Sequence, residues 1–179
     1  MIMQNHLERD ELRYAIWLNP DPQAQEALLP QMTALRQDLA GPAFPPHLTL
    51  TSGIAGIEEQ LVDHLRVLAE NQAPFRLQPR GIQVSGDFFR AITVAVDSPP
   101  QLLSFRSQAC QRFGLDAMRP FHPHLSLAYG EVDNERLHHL RRHLETRSWP
   151  NLHIQRCSLW RLQGPVSNWR QVADVGLTG

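Results

Sequence analysis

Pro46-His47-Leu48-Thr49-Leu50 and Pro123-His124-Leu125-Ser126-Leu127 are the two stretches on which the reading of this chain turns. Each is a proline, then a histidine, then a hydroxyl residue two positions on, with leucines between and after, and they stand 77 residues apart. Successive side chains of a β-strand point to opposite faces. In a strand, His47 and Thr49 share one face while Leu48 and Leu50 take the other. His124 and Ser126 are separated from Leu125 and Leu127 in the same way. A strand of this kind buries its leucines and keeps its His/hydroxyl face for a cleft. Two such strands facing one another would bring two imidazoles and two hydroxyls to one site.

Working outward, each motif sits in the same succession of elements. Leu12–Leu18 is short, apolar and rich in aromatic and branched residues, which predicts a strand. Asn19-Pro20-Asp21-Pro22 breaks it and starts a helix. Ala24, Leu28, Met32, Leu35 and Leu39 follow at helical spacing until Gly41-Pro42. The His47 strand comes next, then a helix over Glu58–Glu70 with Leu61, Leu65 and Leu68 on one stripe, then a strand over Phe75–Val84 and a turn at Gly86-Asp87. The order then repeats. Phe88–Val96 reads as a strand, Leu102, Phe105, Ala109 and Phe113 mark a helix, and Pro120 and Pro123 lead into the His124 strand. Asn134–Arg147 carries Leu137, Leu140 and Leu144 on a helix. Leu152–Leu162 and Trp169–Val175 are strands on either side of a Gly164-Pro165 turn. The offset of 77 also carries Trp17 onto Val94. The halves repeat in pattern, with little identity. Residues 1–179 are therefore expected to form a single α+β domain of two pseudo-symmetric lobes, about 12–86 and 88–175. Two antiparallel-rich sheets would face each other across a central groove, with helices outside.

Bulk properties bound the partners. Hydrophobic residues make up 42% of the chain and charged residues 20%, the balance of an ordinary globular domain. The formal charge of −1 lacks the basic footprint of a duplex-binding protein. All 17 basic residues are arginine; arginine suits bidentate phosphate contacts, but so general a bias is the mark of genome composition. No apolar run is long enough to span a membrane, and Met1–Glu11 lacks the hydrophobic core of a signal peptide. Cys110 and Cys157 have neither zinc nor redox spacing, so free thiols in the cytoplasm are expected. A monomer is expected.

The paired motif fits a particular chemistry. Cleaving a phosphodiester by in-line attack needs a base on the attacking oxygen and an acid on the leaving oxygen, on opposite sides of phosphorus. Imidazole, with a reference pKa of about 6.5, performs either task near neutral pH. His47 and His124 are the candidate catalytic pair. Thr49 and Ser126 would donate hydrogen bonds to the non-bridging phosphoryl oxygens. No carboxylate cluster accompanies either motif, and neither a metal nor another cofactor is expected. Which histidine is acid and which is base is open at this level, because a pseudo-symmetric site presents both to phosphorus alike.

These residues resemble the two-histidine (2H) phosphoesterases, whose signature is two H-x-[T/S] motifs in a bilobal α+β fold. Within that superfamily the chain looks most like the cyclic phosphodiesterases of plants and yeast. The likeness lies in Ala15-Ile16-Trp17-Leu18 with Pro20, Gly41-Pro42 leading to the first motif, Gly86 with Phe88-Phe89, and the second motif followed by Tyr129. It spans about residues 12–175. The resemblance implies hydrolysis of a five-membered cyclic phosphate, with ADP-ribose 1″,2″-cyclic phosphate or nucleoside 2′,3′-cyclic phosphates as the small-molecule substrate. It also favours Tyr129, three residues past Ser126, as a substrate contact.

Trp17, Phe88 and Phe89 are either stacking surfaces for a base or core residues. The core reading weighs equally for Trp17 and more heavily for Phe89. His122 shares a strand face with His124 but reads as a solvent-exposed loop residue. His139 and His143 have i, i+4 spacing that zinc can use, yet with no third ligand in the pattern they read as a solvated helix face. Two rival functions remain. One is an enzyme acting on RNA ends, a 2′,3′-cyclic phosphodiesterase or a 2′-5′ ligase, for which a basic track beside the groove is the discriminating feature. The other is a non-catalytic nucleotide-binding module, which would not need both imidazoles.

Overall fold

The structure, a computed structural model, describes residues 13–179. Met1–Glu11 and Leu12, the first residue of the first expected strand, lie outside the described residues. The elements run β1 (Tyr14–Pro20), α1 (Pro22–Leu39), β2 (His47–Ile54), α2 (Glu58–Glu70), β3 (Phe75–Leu77), β4 (Pro79–Val84), β5 (Ile92–Val96), α3 (Pro100–Arg112), β6 (His124–Ala128), α4 (Asn134–Leu144), β7 (Leu152–Arg161) and β8 (Arg170–Gly176).

Local chemistry accounts for the helices. In α1 the Asp21 carboxylate accepts from the Ala24 backbone N–H at 3.1 Å, and Pro22 occupies the first turn, where no N–H is needed. The residues it buries are Ala24, Leu28, Met32, Leu35 and Leu39, the apolar stripe read from the sequence. Asp133 caps α4 in the same manner, its Oδ1 accepting from the Arg136 N–H. Leu61, Leu65 and Leu68 of α2 are buried, as are Leu102, Phe105 and Ala109 of α3.

Every strand pairing among the described residues is antiparallel, and the strands connect in the order β3-β7-β1-β2-β6-β5-β4, with β8 on β7. The two halves of the sheet join through the β2–β6 pairing, so the strands on either side of the groove belong to one hydrogen-bonded path. The last strand of the first sequence half, β4, pairs with the first strand of the second half, β5, and β7 of the second half pairs with the first strand of the first half, β1. Likewise α1 packs on β6 and α3 on β2. Each spatial half of the sheet is therefore built from both halves of the sequence. Leu48, Leu50, Leu125 and Leu127 enter one core cluster with Leu28, Phe105, Leu140 and Ile154. Truncating a buried leucine of this kind to alanine costs about 2–5 kcal/mol.

Three expected strands differ. Phe75–Val84 is broken at Gln78, because β3 pairs with β7 while β4 pairs with β5. Phe88–Arg90 is a turn of 3₁₀ helix and not the start of a strand. Asp87 accepts from the Phe89 N–H at 3.0 Å and draws the chain into that turn. The β8 strand starts one residue later than Trp169, and Trp169 is left on the loop.

Candidate active site

The β2–β6 register puts the two motifs together. His47 pairs with Ser126 and Leu48 with Leu125. Continuing the antiparallel register sets Thr49 opposite His124, so each imidazole lies across the strand gap from the other motif's hydroxyl. The local two-fold axis passes between Leu48 and Leu125. Neighbouring strands extend these rows. Trp17 of β1 pairs with Thr49, and Thr93 of β5 pairs with Ser126. The structural counterpart of Trp17 is thus Thr93 and not Val94, and both ladders shift register just before it, between Ile16 and Trp17 and between Ile92 and Thr93.

Both imidazoles are held identically by their own chain. His47 Nδ1 lies 2.8 Å from the Pro45 carbonyl oxygen, and His124 Nδ1 lies 2.8 Å from the His122 carbonyl oxygen. A carbonyl only accepts, so Nδ1 carries the proton and donates in each case. Nε2 of each ring is left for other work. The proline before each histidine holds the chain extended there.

The surroundings break the symmetry. His47 is completely buried. Its ring stacks on Trp17 at 3.5 Å between centroids and 10° between planes, and Trp17 stacks on Trp160 at 4.3 Å. The Tyr129 hydroxyl donates to His47 Nε2 at 3.3 Å. Phe44 stacks on Tyr129, and Phe89 stacks on Trp169 and meets the edge of Tyr129. Trp17 is as buried as any core residue yet stands outside the apolar cluster, on the motif face of the sheet. Phe89, weighed more as core, is instead 50% exposed at the rim. Burial pushes His47 down to about 3, with the nearby His124 adding to the effect and the Pro45 hydrogen bond opposing it. Burial pushes the Tyr129 phenol up to about 12, opposed by the Ser126 hydroxyl.

His124 is only partly buried. It lines a hollow of about 250 Å³ with Thr49, Thr51, Arg90, Arg106, Arg119 and His122. Its pKa is lowered by burial, opposed by the His122 carbonyl hydrogen bond, with the Arg90 and His122 charges lowering it further. Roomier cavities lie between α2 and α3 and beside β4, at about 520 and 610 Å³, but neither is lined by either motif.

Residues 20–165 match the family model described as the 2′-5′ RNA ligase superfamily. The chain belongs to that superfamily. Among curated proteins, the cyclic phosphodiesterase of Arabidopsis thaliana is 22% identical over 122 residues, covering 68% of this chain and 67% of the plant protein. Among solved structures, apo Escherichia coli LigT superposes with a TM-score of 0.58 at 19% identity, covering 95% of this chain and 99% of LigT. TT0787 of Thermus thermophilus gives 0.59 at 20% identity, covering 93% and 98%. LigT has also been solved with 3′-AMP and with phosphate. At these identities the structural matches establish the α+β fold of the superfamily, and the two-histidine resemblance holds at that level.

The structure gathers all six site residues read from the sequence of this superfamily member: His47, Thr49, His124, Ser126, Trp17 and Tyr129. Gly41 serves Tyr129 at a distance. A Cβ there would stand 2.0 Å from the Tyr129 carbonyl oxygen, so only glycine lets the end of α1 close on that segment. His139 and His143 stack with ring centroids 6.5 Å apart, away from the motifs; among the described residues no group of three or more His, Cys, Asp or Glu is placed to hold a metal ion. No helix among the described residues is long and apolar enough to cross a membrane. Sequence reading missed Trp160, Phe44, Arg90, Arg106 and Arg119; His122 is the exposed loop residue it expected, and it also lines the hollow while its carbonyl orients His124. Trp160 alternates with Ser158 on β7, a period that marks its face but not what it faces.

Proposed function

We propose that this chain is a cyclic phosphodiesterase that hydrolyses a five-membered cyclic phosphate of ribose, a nucleoside 2′,3′-cyclic phosphate or ADP-ribose 1″,2″-cyclic phosphate. The cross-strand register carries the reading: two imidazoles with the same tautomer and two hydroxyls converge about one axis. A phosphoryl group on that axis meets a hydroxyl from each motif, which offsets the charge that grows on its non-bridging oxygens. The plant relative's name and the LigT complexes with 3′-AMP and phosphate are consistent with a nucleotide phosphate at such a site.

The unequal surroundings support one division of the proton roles. The reactive form carries one proton between the two Nε2 atoms. His47 is buried among aromatic rings and disfavours the charge, so the proton rests on His124. His47 Nε2 then takes a proton from water as the water oxygen bonds to phosphorus. The bond from phosphorus to a ring oxygen breaks, and that oxygen takes the proton of His124. The product is a phosphomonoester beside a free hydroxyl. The Tyr129 hydroxyl on His47 Nε2 supports this role, because a donor at that nitrogen goes with a lone pair able to accept a proton. Turnover of adenosine 2′,3′-cyclic phosphate by protein dialysed against chelator tests the reading, and a protein that binds this compound without hydrolysing it would be the nucleotide-binding module instead.

One observation favours the second reading, action on an RNA end: the arginines beside His124 supply the basic surface that a polynucleotide needs. A short RNA with a cyclic end, offered in competition with the mononucleotide, separates the two.

A further inference from the structure

The hollow on the His124 side has a composition that the hydrolysis itself does not require. Arg90 enters it from the turn before β5, Arg106 from α3, and Arg119 and His122 from the loop leading into β6. Thr51 and Ser52 add hydroxyls from β2, and no carboxylate lines it. Among the described residues, Arg90, Arg106 and Arg119 take part in none of the ion pairs, which engage Arg66, Arg80, Arg136, Arg156, Arg161 and Arg170. Arg106 is tied down without being neutralised. It donates to the Ala117 and Arg119 carbonyls at 3.0 and 3.2 Å and lies over the Phe121 ring at 4.6 Å. Its Nε is buried with no partner. Arg106 thus holds the loop that carries Arg119, and its own charge adds to the positive field of the hollow. Such a space, sharing Thr49 and His124 with the centre, suits an anion covalently attached to whatever the centre holds.

We propose that the hollow is a second phosphate subsite, in which Arg90 and Arg119 bind a phosphate that the substrate carries beyond its cyclic phosphate, with Arg106 as a positioning residue. The proposal rests on the phosphodiesterase reading and narrows its substrate class to cyclic phosphates bearing a second phosphate. The guanidinium fork matches phosphate oxygens and is strongest where few counter-charges compete. Binding there also acts on the acid. Arg90, Arg106, Arg119, His122 and His47 surround His124 with positive or ionisable groups. A phosphate among them favours the charged imidazole. The second phosphate therefore raises kcat as well as lowering KM.

The second phosphate has three possible sources, a 5′-phosphate on a mononucleotide, the internal diester of an oligonucleotide or the diphosphate of an ADP-ribose 1″,2″-cyclic phosphate. Four substrates distinguish them: adenosine 2′,3′-cyclic phosphate, its 5′-phosphorylated form, a diadenosine with a 2′,3′-cyclic end, and ADP-ribose 1″,2″-cyclic phosphate. The wild-type enzyme is expected to favour at least one phosphorylated substrate over the bare nucleoside by about tenfold in kcat/KM, with the preference shrinking as salt is added. In the Arg90→Ala/Arg119→Ala double variant that ratio falls to about one, and Arg119→Lys keeps part of it. A ratio near one in the wild type, or one unchanged in the double variant, overturns the subsite and leaves the phosphodiesterase standing. If none of the four is hydrolysed, that reading has failed and calorimetry with pyrophosphate decides the subsite alone. Binding about tenfold tighter to wild type than to the double variant supports it, and equal binding overturns it.

Discussion

His47 and His124 begin from nearly the same five-residue sequence and end in opposite surroundings. Their Nδ1 atoms donate to carbonyl oxygens at the same 2.8 Å, and their strands are related by one axis. Yet His47 lies under Trp17 and Tyr129 with no exposed surface, while His124 opens onto arginines and hydroxyls. A local motif sets tautomer and orientation because both depend on the residue's own strand. The readiness to hold a proton depends on what other segments place around the ring. The repeated motif supplies two equivalent imidazoles, and under the function we propose their unequal burial would make His47 the base and His124 the acid.

The largest effect should come from removing either ring. His47→Ala and His124→Ala are each expected to lower turnover by about two to four orders of magnitude. The variants should then part company: added imidazole should restore activity to His124→Ala through the open hollow and fail with His47→Ala. Equal rescue would place both rings in the same surroundings and remove the asymmetry. Next come the hydroxyls. Thr49→Ala and Ser126→Ala should each cost about 2–4 kcal/mol of transition-state stabilisation, read as kcat/KM with the loss in kcat. Ser126→Thr should be far milder. Losses confined to KM would show uniform binding of substrate and transition state.

The burial of His47 also predicts how stability responds to pH. Its folded value, about 3, lies below the unfolded reference of about 6.5. Between those values the unfolded chain binds a proton that the folded one does not, so stability falls as pH falls through the window. The slope is about 1.4 kcal/mol per pH unit for one such group. His124, shifted in the same direction, adds to it. Urea unfolding at pH 6.5 and 5 should show wild type losing about 1–2 kcal/mol more than His47→Gln. Parallel losses would mean that His47 is charged and solvated. For activity, the two depressed imidazoles should draw the kcat/KM optimum to the acid side of the ordinary imidazole value, with kcat peaking higher because the bound anion favours the charged form. The smallest effect should come from Tyr129→Phe, which removes the hydrogen bond to His47 Nε2 at about 1 kcal/mol and so slows turnover several-fold.

What the sequence by itself determined is whatever depends on period and on neighbours along the chain. Alternation placed His47 with Thr49 and His124 with Ser126, and the helical spacing of Leu28, Met32, Leu35 and Leu39 named the buried face of α1. The repeated offset announced that the two motifs belong together. Only the tertiary structure decided which strand lies beside which. Period two records a face but carries no address for its partner, so Phe75–Val84 read as one strand although its two parts pair with β7 and β5. The same limit applied to the aromatics: Trp17 and Leu18 look equally fit for a core, and only packing put Trp17 on the imidazole and Leu18 among the leucines. Phe89 looked like a strand residue until the Asp87 side chain bent it into a turn and left it at the rim. Arg90, Arg106 and Arg119 are scattered among 17 arginines in the sequence. They form one positive surface only because a turn, a helix and a loop meet beside His124. Charge acts through space, and the distances between those segments are settled by burial of the leucines on the far face of the sheet.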